Sequence, residues 1–139
     1  MKTKILYRPV GPQELALIVD SNFRAFPPRL SWQPIFYPVL NFEYARQISE
    51  RWNASSAENL YCGFVTKFAI VSDYISQFEV QTVGGPMHQE LWVPAEELAV
   101  FNSRIDGAIQ VVAGYYGLKF DKQRLPVEVQ KLLDQQLLR

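Results

Sequence analysis

Cysteine and histidine are nearly absent from this chain of 139 residues, which has one of each, Cys62 and His88. A single cysteine excludes an intramolecular disulfide framework and a multi-cysteine zinc site. Because the histidine is also alone, we expect no bound metal. No spacing argument joins Cys62 to His88, so a buried and inert thiol is favoured over a Cys–His nucleophile.

Net charge and long hydrophobic runs are missing as well. The 14 basic and 14 acidic side chains cancel, which argues against a broad electrostatic surface for nucleic acid or membranes. No stretch approaches the about 18 consecutive apolar residues of a membrane-spanning helix. The segment MKTKILYRPV has only a short apolar run and is not typical of a signal peptide. We therefore expect a cytoplasmic protein without a nucleic-acid or membrane partner.

The short motifs that identify many nucleotide-binding proteins and hydrolases are also absent. The chain contains no GxGxxG fingerprint, no P-loop and no nucleophile elbow. A catalytic function must therefore come from residues that are separated in the sequence and brought together by the fold.

The order of predicted elements favours a single α+β domain over residues 1–139. Hydrophobic residues make up 48% of the chain, and a chain of this length buries about two-thirds of its unfolded surface. Apolar patterns predict strands at 5–8, 61–71, 78–83, 88–93 and 108–116. Both faces of 61–71 are fairly apolar, which predicts a central strand. Helices are predicted after Pro12, after an N-cap at Asn41, and at 74–77 after a cap at Ser72-Asp73. Two more are predicted from 94, with Ile105 on the apolar face, and from 126, with Leu137 on the apolar face. The closely spaced strands between 61 and 93 predict a mainly antiparallel, split sheet with flanking helices.

Three stretches hold the candidate functional side chains. Arg8 lies where the first predicted strand ends, and a guanidinium can bind phosphates through two N–H groups at once. A stiff loop rich in proline and aromatic residues can stack on a planar ligand, and its candidates are Arg29, Trp32 and Tyr37. His88 and Glu90 follow the Gly84-Gly85-Pro86 turn and add an imidazole and a carboxylate.

Each of these residues also has a structural interpretation, which the sequence leaves open. Arg8 can pair with a surface carboxylate, and the proline-rich loop can cover a sheet edge. Glu90 can be a solvent-facing residue of a strand, and a lone histidine such as His88 can be incidental.

The three stretches together resemble the ADP-ribosyltransferase superfamily. The resemblance consists of an arginine that leaves the first strand, an aromatic segment in the middle and a late glutamate that opens a strand. Its best part is GGPMHQELWVPAEEL, where a glycine turn precedes the glutamate, an apolar strand and a helix that starts with proline. Segments LYRPVG, FPPRL, QPIFYPVLN and VPAEEL are also similar to short bacterial proteins named for ADP-ribosylation.

This resemblance implies that NAD is the substrate. Arg8 would hold the ribose or phosphates of NAD, and Tyr37 would pack on the nicotinamide. Glu90 would stabilise the positive charge of the sugar as nicotinamide leaves. His88 stands where many members carry Gln or Glu to orient the acceptor. Further cofactor-binding candidates lie in the proline-rich loop, namely Arg29 and Trp32.

The chain departs from the superfamily pattern before its middle helix. No Ser-Thr-Ser or similar triplet precedes that helix, where Phe36-Tyr37-Pro38 stands instead. The acceptor of ADP-ribose stays open between a protein and water. The alternative function is a non-catalytic module of the same fold that binds a nucleotide or a protein partner. A dinuclear-metal glycohydrolase is less favoured, because the sequence has no clustered aspartates.

Overall fold

Seven β-strands and five α-helices follow one another in the computed structural model, which describes residues 2–135. The strands are β1 (Thr3–Val10), β2 (Ile35–Phe36), β3 (Cys62–Val71), β4 (Val80–Thr82), β5 (Gln89–Leu91), β6 (Val93–Pro94) and β7 (Ile105–Tyr116). The helices are α1 (Pro12–Asp20), α2 (Phe42–Arg51), α3 (Ser72–Ile75), α4 (Leu98–Ser103) and α5 (Val127–Asp134). All strand pairs are antiparallel, which confirms the mixed α+β class.

Strand β3 is the centre of the main sheet. It pairs with β1 on one side and with β7 on the other. Successive side chains of a strand point to opposite faces, and Phe64 and Val65 of β3 are both fully buried. The main sheet is therefore covered on both faces at this point, as the apolar pattern at 61–71 predicted.

Strand β1 continues through Pro9, although the sequence predicted that it ends at Arg8. Tyr7 directs its N–H and C=O away from β3, to Val39. Backbone groups alternate sides along a strand, so the position of Pro9 also faces away from β3. The missing proline N–H therefore leaves the pairing of β1 with β3 intact.

A second, smaller sheet joins β1 through residues 38–40. Strands β4 and β5 form an antiparallel hairpin. Two backbone hydrogen bonds tie residues 38–40 to β5, and two more join Val39 to Tyr7 of β1. The sheet is thus split into a main part and a hairpin, with one short segment between them. A separate two-stranded pair consists of β2 and β6.

Two helices begin where their sequence signals predicted. Pro12 occupies the first turn of α1, where its missing N–H has no helical partner to lose. The Asn41 side chain caps α2 by accepting from the Tyr44 N–H at 2.8 Å. The same side chain donates to the Met87 carbonyl at 2.7 Å, so the cap also ties α2 to the turn before β5.

Aromatic rings form the centre of the main core. The rings of Phe26, Phe36, Phe68 and Phe101 contact one another with centroids 5.0 to 5.9 Å apart. These tilted and edge-to-face contacts are the arrangements that aromatic pairs prefer. A smaller buried cluster lies between α2 and the sheet and consists of Val39, Ala45 and Val65.

Several predicted boundaries differ from those of the structure. The pattern placed Ile105 on a helix face, but α4 ends at Ser103 and Ile105 pairs with Ile70 as the first residue of β7. The short helix expected at 74–77 is α3, two residues earlier. Leu137, which was predicted on the last helix, lies outside the described residues. None of the helices between residues 2 and 135 is long and apolar enough to cross a bilayer.

Candidate functional site

An open cleft of about 490 Å³ lies where β1, residues 37–39 and β5 meet, and we call it the Arg8–Glu90 cleft. Val39 pairs with Tyr7 on one side and with Glu90 on the other, so residues 37–39 lie between β1 and β5. The cleft brings together three of the predicted site residues. Its lining consists of Arg8, Pro9, Tyr37, Val39, Ile48, Glu90 and Trp92.

Arg8 is buried, with 8% of its surface exposed, and its guanidinium is already bonded within the protein. Nε and Nη2 donate to the two carboxylate oxygens of Glu14 at 2.7 and 2.9 Å. Nη1 donates to the Tyr37 carbonyl at 3.3 Å, and the guanidinium carbon lies 4.5 Å from the centre of the Phe36 ring. Three of the five N–H donors of a guanidinium are therefore used, and the other two have no acceptor among residues 2–135.

The Glu90 carboxylate is held by one donor at each oxygen. Oε1 accepts from the Trp92 indole N–H at 2.8 Å, and Oε2 accepts from the Tyr44 hydroxyl at 3.0 Å. Each carboxylate oxygen has a second lone pair, so Glu90 can still accept from a ligand. The two donors fix a negative charge in one position, as stabilisation of a developing positive charge requires.

Tyr44 reaches Glu90 from the first turn of α2, directly after the Asn41 cap. Burial, followed by the hydrogen bond to Glu90, raises the pKa of Tyr44 to about 12. The phenol therefore keeps its proton at neutral pH and remains a donor to the carboxylate.

Two partly exposed aromatic rings stand beside the carboxylate. Tyr37 is 39% exposed and Trp92 is 44% exposed. Their rings meet edge to face, with centroids 6.5 Å apart and planes at 85°. Exposed aromatic faces of this kind can stack on a planar ring and attract a cation.

His88 lines a neighbouring hollow of about 400 Å³ and not the Arg8–Glu90 cleft. Its Nδ1 accepts from the Gly85 N–H at 3.1 Å, and its Nε2 lies 2.9 Å from Oε1 of Gln47. The imidazole also packs against the Tyr44 ring, with centroids 4.7 Å apart. Ile48 lines both hollows, so the two adjoin.

The other two predicted site residues lie outside the cleft lining. Arg29 lines a separate hollow of about 360 Å³ beside Glu14, and its Nε donates to the Ile35 carbonyl at 3.0 Å. Burial, followed by the charge of Arg8, lowers the pKa of Arg29. Trp32 is 74% exposed in the proline-rich loop. The structure therefore does not bring these two side chains to the carboxylate of Glu90.

Sequence reasoning missed Trp92, Tyr44 and Glu14. Residues i and i+2 of an extended segment share a face, so Trp92 could have been predicted beside Glu90. Tyr44 and Glu14 come from helices whose rotation depends on packing against the sheet. No local signal in the sequence distinguishes them from other polar residues on those helices.

Cys62 takes no part in the cleft. The residue is fully buried, and burial raises the pKa of its thiol to about 12. It therefore stays protonated at neutral pH, which is the state of a structural cysteine. Within residues 2–135, no three or more His, Cys, Asp or Glu side chains are grouped so that they could hold a metal ion.

Comparisons with known proteins found no relative of this chain. The chain gives no significant match to models of protein families, to curated proteins or to solved structures. The geometry of the Arg8–Glu90 cleft is therefore the basis on which a function is proposed.

Proposed function

We propose that the Arg8–Glu90 cleft binds NAD and that the protein cleaves the nicotinamide–ribose bond, as an ADP-ribosyltransferase-like enzyme. A single observation carries this proposal. Arg8, Tyr37 and Glu90 lie far apart in the sequence, and all three line one open cleft. The ADP-ribose passes to a protein acceptor or to water.

The proposed step breaks the bond between the anomeric carbon of the ribose and the ring nitrogen of nicotinamide. Both bonding electrons go to the ring, so nicotinamide leaves as a neutral molecule. The sugar becomes oxocarbenium-like, and the Glu90 carboxylate stabilises its positive charge. An oxygen of the acceptor then bonds to the anomeric carbon, and its proton passes to the carboxylate or to solvent.

The remaining lining supports this assignment. The pyridinium ring of NAD is planar and positively charged, so it suits the exposed faces of Tyr37 and Trp92. The two free N–H donors of Arg8 can bond a ribose or phosphate oxygen. A cleft of about 490 Å³ is within the usual range of small-molecule sites.

The test is Glu90→Gln, with nicotinamide release from NAD as the measurement. We expect release to fall by about 10²–10³, as when one well-placed charge is removed from such a site. The matched control is Glu96→Gln, which neutralises an exposed carboxylate in the Ala95–Glu97 turn. Unchanged release in Glu90→Gln would remove Glu90 from the mechanism.

The Glu90→Gln variant keeps its partners, so a loss of activity will not reflect a lost fold. The amide oxygen can accept from the Trp92 indole N–H. The amide N–H₂ can donate to the Tyr44 hydroxyl oxygen, which is also an acceptor. An unchanged urea midpoint checks this expectation.

A second function, a non-catalytic module that binds a nucleotide, is favoured by a different observation. Glu14 neutralises Arg8, and both oxygens of Glu90 already accept a hydrogen bond. Thermal unfolding with and without NAD distinguishes the two. NAD at a hundred times its Kd stabilises by about 2.7 kcal/mol. Such a rise in stability without nicotinamide release supports the second function. If NAD neither stabilises the protein nor releases nicotinamide, a role in binding a protein partner is left.

A further inference from the structure

We propose that His88 is a positioning residue that fixes Glu90, and that its protonation releases this hold. The structural part of the proposal needs no substrate. Its consequence for catalysis rests on the proposed function of the Arg8–Glu90 cleft.

The hydrogen bonds of His88 define which nitrogen carries the proton. Nδ1 accepts from the Gly85 N–H at 3.1 Å, so it must hold a free lone pair. The proton of the neutral ring is therefore on Nε2, which donates to Oε1 of Gln47 at 2.9 Å. One imidazole thus closes the glycine turn and joins it to α2.

The imidazole lies close over a turn whose backbone conformation favours glycine. Gly84 has φ +85°, a conformation that is costly for residues with a Cβ. A Cβ at Gly84 would lie 3.0 Å from Nδ1 of His88, which shows how closely the imidazole sits over the turn. The turn leads directly into β5, which carries Glu90.

A short chain of contacts runs from the imidazole to the carboxylate. The His88 ring packs on the Tyr44 ring at 4.7 Å, with planes at 35°. The Tyr44 hydroxyl donates to Oε2 of Glu90. Asn41 adds a parallel tie, because its side chain donates to the Met87 carbonyl next to His88. The position of Glu90 is therefore coupled to the position of His88 through α2.

Protonation of His88 removes the acceptor on which this arrangement depends. Nδ1–H and the Gly85 N–H are both donors, so they cannot bond and one must move away. The ionisable groups around the imidazole are Tyr44 and Arg51 of α2, which line the same hollow, and Glu90 of β5, which Tyr44 contacts. None of these groups restores an acceptor for the Gly85 N–H.

Two variants separate the roles of the two ring nitrogens. In His88→Asn, Oδ1 can take the place of Nδ1 and accept from Gly85, but it does not titrate. In His88→Gln, the longer amide reaches the place of Nε2 and leaves Gly85 without its partner. Both variants are neutral and polar, so they differ mainly in which bond they keep.

The experiment measures the hydrogen-exchange protection of the Gly85 amide and the proton chemical shift of the Trp92 indole N–H. Both are recorded at about pH 8 and about pH 5, between which histidine changes charge. In the unaltered protein we expect protection to fall by on the order of tenfold at the lower pH, with a shift at Trp92. We expect His88→Asn to show neither change, and His88→Gln to be unprotected at both pH values.

Equal protection of Gly85 at both pH values in the unaltered protein would overturn the proposal. So would an acid-induced change of the same size in His88→Asn. If the protection of the Gly85 amide depends on pH but the protein never releases nicotinamide, the proposed catalysis is contradicted. The role of His88 in positioning Glu90 is then retained.

Discussion

The two donors that hold Glu90 differ in how they depend on the fold. Trp92 is two residues from Glu90 in the same extended segment, so their hydrogen bond does not depend on how β5 packs against the rest of the protein. Tyr44 belongs to α2, so its hydroxyl links Glu90 to a different element. The Tyr44 bond therefore contributes to the stability of the whole fold, and the Trp92 bond contributes chiefly to the local orientation of the carboxylate.

Tyr44→Phe is expected to lower the free energy of unfolding by about 1–2 kcal/mol, because it removes a hydrogen bond to a charged group. The matched control is Tyr74→Phe. Tyr74 also has its pKa raised to about 12, chiefly by burial, but its hydroxyl lies 3.5 Å from Glu97. We expect a smaller loss in the control when both are measured by urea denaturation. Equal losses would show that the Tyr44–Glu90 bond adds nothing to stability.

Arg8 shows what the sequence could and could not predict about a single residue. The sequence predicted that Arg8 ends the first strand, but β1 runs on to Val10 and Arg8 lies within it. The alternative of a carboxylate partner is confirmed, but the partner is Glu14 and the pair is largely buried rather than on the surface. The turn between β1 and α1 brings these residues together, and the geometry of that turn is not encoded by residue spacing alone.

The contact between α1 and α5 contains two carboxyl groups, Asp20 and Glu128. A hydrogen bond with Glu128, then burial, then the charge of Glu128 raise the pKa of Asp20 above its usual value. A carboxyl whose pKa is raised on folding contributes stability below its unfolded pKa, and this is lost as pH rises through the folded value. At neutral pH the two ionised groups repel each other, and Asp20 also lies at the unfavourable C-terminal end of α1.

Asp20→Asn is therefore expected to raise Tm at about pH 7, because the amide can donate to Glu128 without adding a charge. The gain should shrink as pH falls towards the ordinary range of aspartate, about 4, where Asp20 itself is protonated. Asp106→Asn removes an exposed carboxylate on β7 and is the control. A Tm difference that stays constant from about pH 7 to about pH 3 would show that repulsion between these groups has no effect on stability.

Helix starts were predicted better than strand ends, for a local reason. Pro12 and Asn41 act within one turn of themselves, through a missing N–H and a side-chain acceptor. The ends of β1 and β7 depend instead on partners far along the chain. Pro9 stays in its strand because the position of its missing N–H faces away from β3, and Ile105 joins a strand because Ile70 pairs with it. Neither partner can be inferred from the residues beside the boundary.

Across the molecule, the two charged groups of the cleft belong to parts of the sheet that are joined in different ways. Arg8 lies on β1, which pairs with β3 over eight positions. Glu90 lies on the β4–β5 hairpin, which pairs over three positions and whose backbone is hydrogen-bonded to residues 38–40, which in turn bond to β1. The resemblance to the ADP-ribosyltransferase superfamily predicted that Arg8 and Glu90 lie near each other. The periodicity of the sequence could not predict that residues 38–40 join the hairpin to the main sheet.

We therefore expect the β4–β5 hairpin to open at a lower free energy than the main sheet. Native-state hydrogen exchange should show that the amides of Gln81 and Leu91 exchange by a partial opening. The amides of Phe64 and Ile70 in β3 should exchange only by global unfolding. Equal exchange free energies, with the same dependence on denaturant, would show that the sheet unfolds as one unit.

The same measurement with NAD connects this opening to the cleft. A ligand that contacts both Arg8 and Glu90 adds contacts between the hairpin and β1, so its binding must oppose opening of the hairpin. Hairpin opening and global unfolding would both release such a ligand, so NAD should raise the exchange free energies of Leu91 and Ile70 by the same amount, about 2.7 kcal/mol at a hundred times its Kd. A rise at Ile70 with none at Leu91 would place the ligand on the main sheet alone, away from Glu90.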